Sequence, residues 1–486
     1  MKNHAAIPVL KTLTLVTLLA LFWPEMAQAA GGDYDHYHLK ELTLPFWWVL
    51  PFAGMLLSIA FCPLIPKVDH FWHHNYGKIA LGWAMVFVIP CGLSFGWGVA
   101  IYAVLETIFA EYISFVILLL ALFTIAGGIR LTGNLVGTPK LNTALIMVGT
   151  LLASMMGTTG AAMLFIRPLL RATAHRRYRV HTVVFFIFLV ANIGGSLTPL
   201  GDPPLFLGYL KGVDFFWTTS HLFVKTVFMS VALLCIYFVL DTYLYNKEGR
   251  PQPTAEGPQE SFGFVGKVNF ILLLGVVIMV LISGTWKSNV QFNVWADINL
   301  ELPNVARDLV LLMLAGLSLK LTAKEIRRGN DFTWEPIVEV AKLFFGIFIT
   351  MAPAIAILQA GEKGALKDLV AMVTAGDGQP INHMYFWLTG ALSSFLDNAP
   401  TYVVFFNLAG GDAQTLMHVI PETLTAISAG AVFMGANTYI GNAPNFMVRS
   451  IAIEQGVKMP SFFGYMAWSV GILVPLFVVL TFIFFI

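Results

Sequence analysis

The chain has 486 residues, of which 57% are hydrophobic and only 11% charged, and its net charge is +1. A soluble domain carries about 25% charged residues, so this balance excludes one and points to a polytopic membrane protein. The near-zero charge and the lack of basic-aromatic motifs exclude nucleic acid as a partner.

Residues 1–29 have the pattern of a signal peptide, with Lys2 and Lys11 before an apolar core, Leu13 to Trp23, and an Ala27-Gln28-Ala29 cleavage site. An uncleaved signal anchor is the alternative, and both place residue 33 outside. The His-rich stretches "DYDHYH" (33–38) and "HFWHH" (70–74) read as solvated loops, with a metal site as the alternative. Apolar runs long enough to cross about 30 Å of hydrocarbon follow at 44–62, 78–98, 111–130, 180–208, 218–245, 266–284, 306–321, 336–360, 424–448 and 461–485. Cys62, Cys91 and Cys235 stand singly, as packed small hydrophobes rather than a redox or metal motif.

Two further apolar stretches, 142–170 and 382–408, carry polar residues and glycine or proline near their middles, "SMMGTTGAA" and "SSFLDNAPT". Charge placement separates a broken crossing from a re-entrant hairpin. With both as hairpins, basic residues such as Arg130, Lys140, Arg171, Arg176, Arg177, Arg179, Lys324, Arg327 and Arg328 all fall on one side. The opposite loops hold few, among them Lys211, Lys287 and Arg307. That is a positive-inside pattern, and the hairpin reading follows. Glu106 and Glu111 then lie near the outer end of the third span, where proton entry is the less ordinary use for them. Glu335, Glu339 and Lys342 share a helix face at a cytoplasmic end and read as an interfacial ion pair.

A shift of 240 residues lays Gly195, Thr198, Gly201, Pro204 and Phe206 on Gly435, Thr438, Gly441, Pro444 and Phe446, with Asp202 on Asn442. The same shift lays Ser154 on Ser394 and Phe165 on Phe405, aligning the two hairpin tips. The expected architecture is an all-α polytopic membrane protein of two repeats, 30–249 and 266–486, joined by a cytoplasmic linker at 250–265. Each repeat has five crossings, one re-entrant hairpin and one broken helix. An odd number of crossings inverts the second repeat relative to the first, the arrangement of secondary transporters.

Backbone in hydrocarbon must be hydrogen-bonded, so a broken helix survives only in a protein-lined or polar setting. The opened ends can then bind ions, anions at half-helix N-termini and hard cations at carbonyl, hydroxyl and amide oxygens. Gly195, Gly201, Pro203, Pro204, Pro400, Gly441 and Pro444 supply the break geometry. Asp202, Asp397, Asn398, Thr158, Thr159, Thr198, Asn437, Thr438 and Asn442 are the candidate ion or substrate ligands, with Asn192 and Asn445 weaker. Within this set Asp397, Asn398, Thr198 and Asn442 are the expected Na⁺ ligands. Asp397 carries the sharper signal as the only acid of the second hairpin. Asp202, before Pro203, could simply cap its half-helix.

The motifs "SMMGTTGAAMLF", "NIGGSLTPLGDPPLFLG", "SSFLDNAPTYVVF" and "GANTYIGNAPNFM" resemble the ion transporter superfamily, which includes sodium/proton antiporters and citrate and dicarboxylate transporters. The resemblance covers nearly all of the mature chain. It implies a homodimer with a scaffold part, a mobile transport part and elevator-like alternating access. The sodium/dicarboxylate branch carries Ser-Asn-Thr at its hairpin tips; here the tips are Gly157-Thr158-Thr159-Gly160 and Asp397-Asn398-Ala399-Pro400-Thr401. The second tip is closer to the antiporter branch.

The break motifs hold two acids and no Lys or Arg, so the site favours a cation. The expectation is a secondary ion transporter of the bacterial inner membrane that exchanges Na⁺ for H⁺, with no resident cofactor and with lipid, Na⁺ and H⁺ as partners. Na⁺- or H⁺-coupled symport of citrate or another carboxylate is the alternative. No HExxH or GxSxG pattern suggests an enzyme.

Overall fold

The computed structural model describes residues 37–42, 44–251, 262–361, 364–376 and 378–486. The expected signal peptide and the linker residues 252–261 lie outside them. Among the described residues, nine helices are long and apolar enough to cross a membrane, and a shorter apolar run spans Phe46–Phe61. The chain is a polytopic, almost wholly helical membrane protein.

In the first half, α1 is Leu50–Phe61, α2 Pro66–Phe95, α3 Trp97–Glu106 and α4 Ile113–Ala126. A π-helical turn, Thr107–Tyr112, joins α3 to α4 into one 30-residue run, Trp97–Ala126. After the short strand β1 (Arg130–Thr132) come α5 (Pro139–Met156), α6 (Thr158–Ala172), α7 (Val180–Leu189), α8 (Pro203–Leu210) and α9 (Trp217–Lys247). The second half begins with strand β2 (Gly263–Val265) and α10 (Val268–Thr285), then the hairpin β3 (Gln291–Trp295) and β4 (Ile298–Glu301). It continues with α11 (Leu302–Leu321), α12 (Lys324–Gly329), α13 (Glu335–Gln359) and α14 (Lys367–Val373). The last elements are α15 (Asn382–Phe395), α16 (Asn398–Leu408), α17 (Ala413–His418), α18 (Pro421–Met434), α19 (Ala443–Glu454) and α20 (Phe462–Phe484).

Three readings change. "HFWHH" is not a loop, because α2 begins at Pro66 and carries it. A helix can outrun the apolar stretch that identifies it when its polar turns find local partners, and His73 Nε2 lies 3.1 Å from Asp69 Oδ1 one turn back. Arg307 is not in a loop either. It is 1% exposed inside α11, with Asp308 Oδ1 at 2.9 Å and Ser114 Oγ at 2.8 Å, and those partners make the buried charge tolerable. The end of the linker is ordered: Gly263–Val265 pairs antiparallel with Arg130–Thr132.

Loop contacts group the chain ends as the charge pattern does. At the basic end, β1 meets β2, Arg167 Nε lies 3.1 Å from Asp331 Oδ2, and Arg179 reaches the carbonyls of Gln455 and Gly456. At the opposite end, His38 meets Asp297, Lys211 meets Glu111, and Lys225 faces Glu422.

A buried charged cluster ties the first hairpin to α9 at the basic end. Arg176 and His181 both contact Asp241 Oδ1, at 2.8 and 2.9 Å, and Asn142 donates to Asp241 Oδ2 at 3.0 Å. Arg176 also reaches Glu248 at 3.2 Å. Asp241 is fully buried and Arg176 is 3% exposed. Removing one partner of such a pair costs about 3–5 kcal/mol, because the other charge stays buried. Arg176→Ala is therefore expected to lower the thermal midpoint of the purified protein in detergent by far more than Arg177→Ala, whose side chain makes no ion pair among the described residues.

Candidate functional site

The site is assembled from two hairpin tips and two broken helices. In the first hairpin α5 stops at Met156 because Gly157 takes φ +81°, a backbone region glycine reaches without strain, and α6 restarts at Thr158. In the second, α15 stops at Phe395 and Asp397 is the N-cap of α16, its side chain accepting from Ala399 N at 3.1 Å. The first broken helix runs α7, a 3₁₀ turn at Ile193–Leu197, an extended Thr198, then α8. The second runs α18, a 3₁₀ turn at Gly435–Asn437, an extended Thr438, then α19.

The same hydrogen bonds hold both breaks, 240 residues apart. Ser154 Oγ donates to Gly194 O at 2.5 Å, and Ser394 Oγ to Met434 O at 3.1 Å. Thr198 Oγ1 donates to Ser154 O, and Thr438 Oγ1 to Ser394 O. Each hydroxyl also accepts a backbone N–H at 3.2 Å, from Leu200 and from Ile440. Thr198, expected among the Na⁺ ligands, and Thr438 thus spend their hydroxyls on unwound backbone, which hydrocarbon could not satisfy. Asn437 Nδ2 donates to the Ser394 hydroxyl at 2.9 Å, and its Oδ1 is buried with no hydrogen-bond partner among the described residues.

Asp202 occupies the N-cap position of α8 yet makes no capping hydrogen bond. Its carboxylate is instead the hub of the site. Oδ1 accepts from Thr158 Oγ1 and from Asn442 Nδ2, each at 3.1 Å. Oδ2 accepts from Asn398 Nδ2. One donor comes from each hairpin tip and one from the other broken helix. Asp202 is 1% exposed, and among the described residues no ion pair reaches it or Asp397. Asp397 thus caps α16 while lining the cavity, and Asp202 accepts the three side-chain donors. The N-termini of α6, α8, α16 and α19 all end at this hub.

A cavity of about 560 Å³ reaches the hub. Thr158, Thr159, Asp202, Asp397 and Asn442 line its inner end. Arg167, Asp331, Glu335, Glu339 and Glu454, from the basic end of the molecule, line it as well, among many apolar side chains. Glu335 and Glu339 are thus cavity residues, not the expected partners of Lys342, whose Nζ sits 5.4 Å over the Tyr76 ring. On the opposite side α8 is packed shut. Tyr209 OH donates to Val280 O at 2.7 Å, Arg307 lies over the Phe206 ring at 5.9 Å, and Lys211 Nζ pairs with Glu111 Oε1 at 2.6 Å. That pairing occupies Glu111, read above as a less ordinary proton entry.

Asn192, Asn445, Ser154 and Ser394 matter more than their sequence context suggested. The serines were visible only as fixed points of the 240-residue offset. Asn192 and Asn445 had no such signal.

Comparison with known proteins follows the same lines. A family model described as "Putative citrate transport" matches residues 40–485. An uncharacterized transporter of Synechocystis is 25% identical over 308 residues, which span 56% of this chain and 61% of that protein, so the match leaves over a third of that relative uncovered. Uncharacterized transporters of Mycobacterium tuberculosis and Mycobacterium bovis are each 23% identical over 364 residues, 71% of this chain and 79% of theirs.

Proposed function

This chain belongs to the family described as "Putative citrate transport", a family of membrane transporters rather than enzymes, and from that premise we propose that it is a secondary active transporter exchanging Na⁺ for H⁺, with Asp202 as the group for which the two ions compete. One observation carries the reading. A buried carboxylate accepts hydrogen bonds from three neutral donors and, among the described residues, makes no ion pair, and it lines a cavity. An ionised carboxylate without a counter-charge is costly inside a membrane. The site is therefore built to be neutralised by a cation that comes and goes, a proton or a metal ion. Asn398 Oδ1, buried and without a partner among the described residues, adds a neutral oxygen of the kind hard cations use.

In this proposal the two halves are inverted repeats, the basic end is cytoplasmic, and the state described here is open to the cytoplasm. The closed packing of α8 and the open cavity beside α19 would exchange during transport. A homodimer in a bacterial inner membrane is part of the same reading.

A second reading has its own support. The family is described by citrate, and four helix N-termini meet at the hub, a setting that favours anions. There Na⁺ would neutralise the acids and a carboxylate would sit against the helix ends. Proteoliposomes separate the two. A Na⁺ gradient is expected to drive proton counter-movement without citrate, with Li⁺ and K⁺ compared in parallel. Citrate-dependent Na⁺ uptake with no counter-moving proton would transfer the assignment to symport.

A further inference from the structure

Helix α2 is longer than a membrane requires. Its 30 residues, Pro66–Phe95, span roughly 45 Å at the α-helical rise, against about 30 Å of hydrocarbon. The surplus is its polar N-terminal turns, which lie at the basic end, where His73 shares the large cavity with Asp331 and Glu335. Lys78, where the apolar run begins, therefore stands at the level of the lipid headgroups. The face that carries His74 and Lys78 continues through Leu81, Met85 and Ile89, all five exposed and spaced three or four residues apart. Helix α13 packs close beside it: a Cβ on Gly346 would lie 2.9 Å from Ala80 Cβ. One turn nearer the basic end the stem of Lys342 lies on Gly77, where a Cβ would come 2.9 Å from Lys342 Cδ. A second cavity, of about 340 Å³, opens here, lined by Lys78, Lys342, His73, His74, Tyr76 and Leu81.

We propose that this groove between α2 and α13 binds an anionic phospholipid, its phosphate between Lys78 and Lys342 and its acyl chains along Leu81, Met85 and Ile89. Charge and polarity select the occupant. Among the described residues neither lysine makes an ion pair. Lys78 Nζ donates to the neutral Asn75 Oδ1 at 3.1 Å, and Lys342 Nζ lies over the Tyr76 ring. The nearby acids are engaged elsewhere: Asp69 meets His73 at 3.1 Å, and Glu335 and Glu339 line the large cavity, not this one. Two uncompensated ammonium groups at headgroup depth attract an anion, and the apolar face beneath them in the bilayer accepts hydrocarbon. A free phosphate would meet the first demand only, and a zwitterionic lipid would leave the positive charge unbalanced. The inference does not depend on which ion the hub carries.

The test counts bound lipid. The full-length protein in detergent is titrated with phosphatidylglycerol or with phosphatidylcholine of the same acyl chains, and retained lipid is read by native mass spectrometry. The wild-type protein should hold phosphatidylglycerol at concentrations where phosphatidylcholine is lost. Lys78→Gln and Lys342→Gln should each weaken that retention about fivefold, the effect of removing one cationic contact at a membrane surface. Gly77→Ala should weaken it as Lys342→Gln does, because the new methyl group displaces the lysine stem. Alanine favours a helix over glycine, so the thermal midpoint of that variant should not fall. Lys140→Gln, at the same end but on α5, is the control and should retain lipid as the wild type does. Equal retention of the two lipids by the wild type overturns the proposal, as does unchanged retention in the Lys78 and Lys342 variants. Displacement of bound phosphatidylglycerol by an equimolar amount of glycerol phosphate would make this a site for free phosphate and overturns the lipid assignment.

Discussion

Asp202→Asn is expected to reduce Na⁺-driven proton movement to the level of protein-free vesicles, whereas Asp397→Asn retains measurable exchange. The difference follows from what each carboxylate does. Asp202 takes hydrogen bonds from Thr158, Asn398 and Asn442 and has no cationic partner among the described residues. An amide there cannot bind or release a proton, and its own NH₂ would face groups that are already donating. That mismatch costs about 1–3 kcal/mol of stability, so the variant must be shown to be monodisperse before its rate is read. Asp397 caps α16 through Ala399 N, and asparagine caps nearly as well as aspartate. Asp397→Asn keeps the helix start and removes one negative charge from the cavity, so the expected change is a higher Na⁺ concentration for half-maximal exchange. The reverse outcome, full loss in Asp397→Asn and activity in Asp202→Asn, would restore Asp397 as the exchanging acid.

The second large effect concerns backbone approach. A Cβ built on Gly201 would collide with the carbonyl oxygen of Gly195, and one on Gly441 would lie 2.6 Å from Gly435 O and 2.7 Å from Ser393 O. These are backbone atoms that cannot swing aside, so the break itself must open. Gly201→Ala and Gly441→Ala should each cost about 1–3 kcal/mol or more and abolish transport, because Asp202 and Asn442 are the next residues along the chain. Gly82→Ala and Gly316→Ala are the controls, since nothing lies within 4 Å of a Cβ at either helical position. Alanine there should be neutral or stabilising by about 0.5–1 kcal/mol. Thermal stability in detergent and initial rates in proteoliposomes check both halves of the prediction.

Much of the architecture is legible without coordinates. An apolar run announces a span because hydrocarbon admits only internally bonded backbone. Glycine and proline clusters announce a break because they act on their own residues. The offset of 240 residues was readable for the same reason, and the hydrogen bonds of Ser154, Thr198, Ser394 and Thr438 give it a physical form. A charged residue is a poor sign of solvent where neighbouring turns or helices supply its partners. The histidines of "HFWHH" and Arg307 looked like loop residues, yet both lie in helices, supplied with partners by neighbouring turns and by another helix.

The division of labour between the acids is the clearest case of the second kind. By sequence, both acids are candidate ligands and both could cap a half-helix, with Asp397 carrying the sharper signal. The folded chain puts the cap at Asp397 and gathers side chains around Asp202, because capping depends on the nearest backbone N–H groups while the hub depends on side chains from residues 158, 398 and 442. Local chemistry, written residue by residue, thus determined where this protein crosses the membrane and where its helices break. Which acid stands at the centre, which asparagines orient it and which end the cavity opens toward were decided only by tertiary structure, since each depends on distances between segments far apart in the chain.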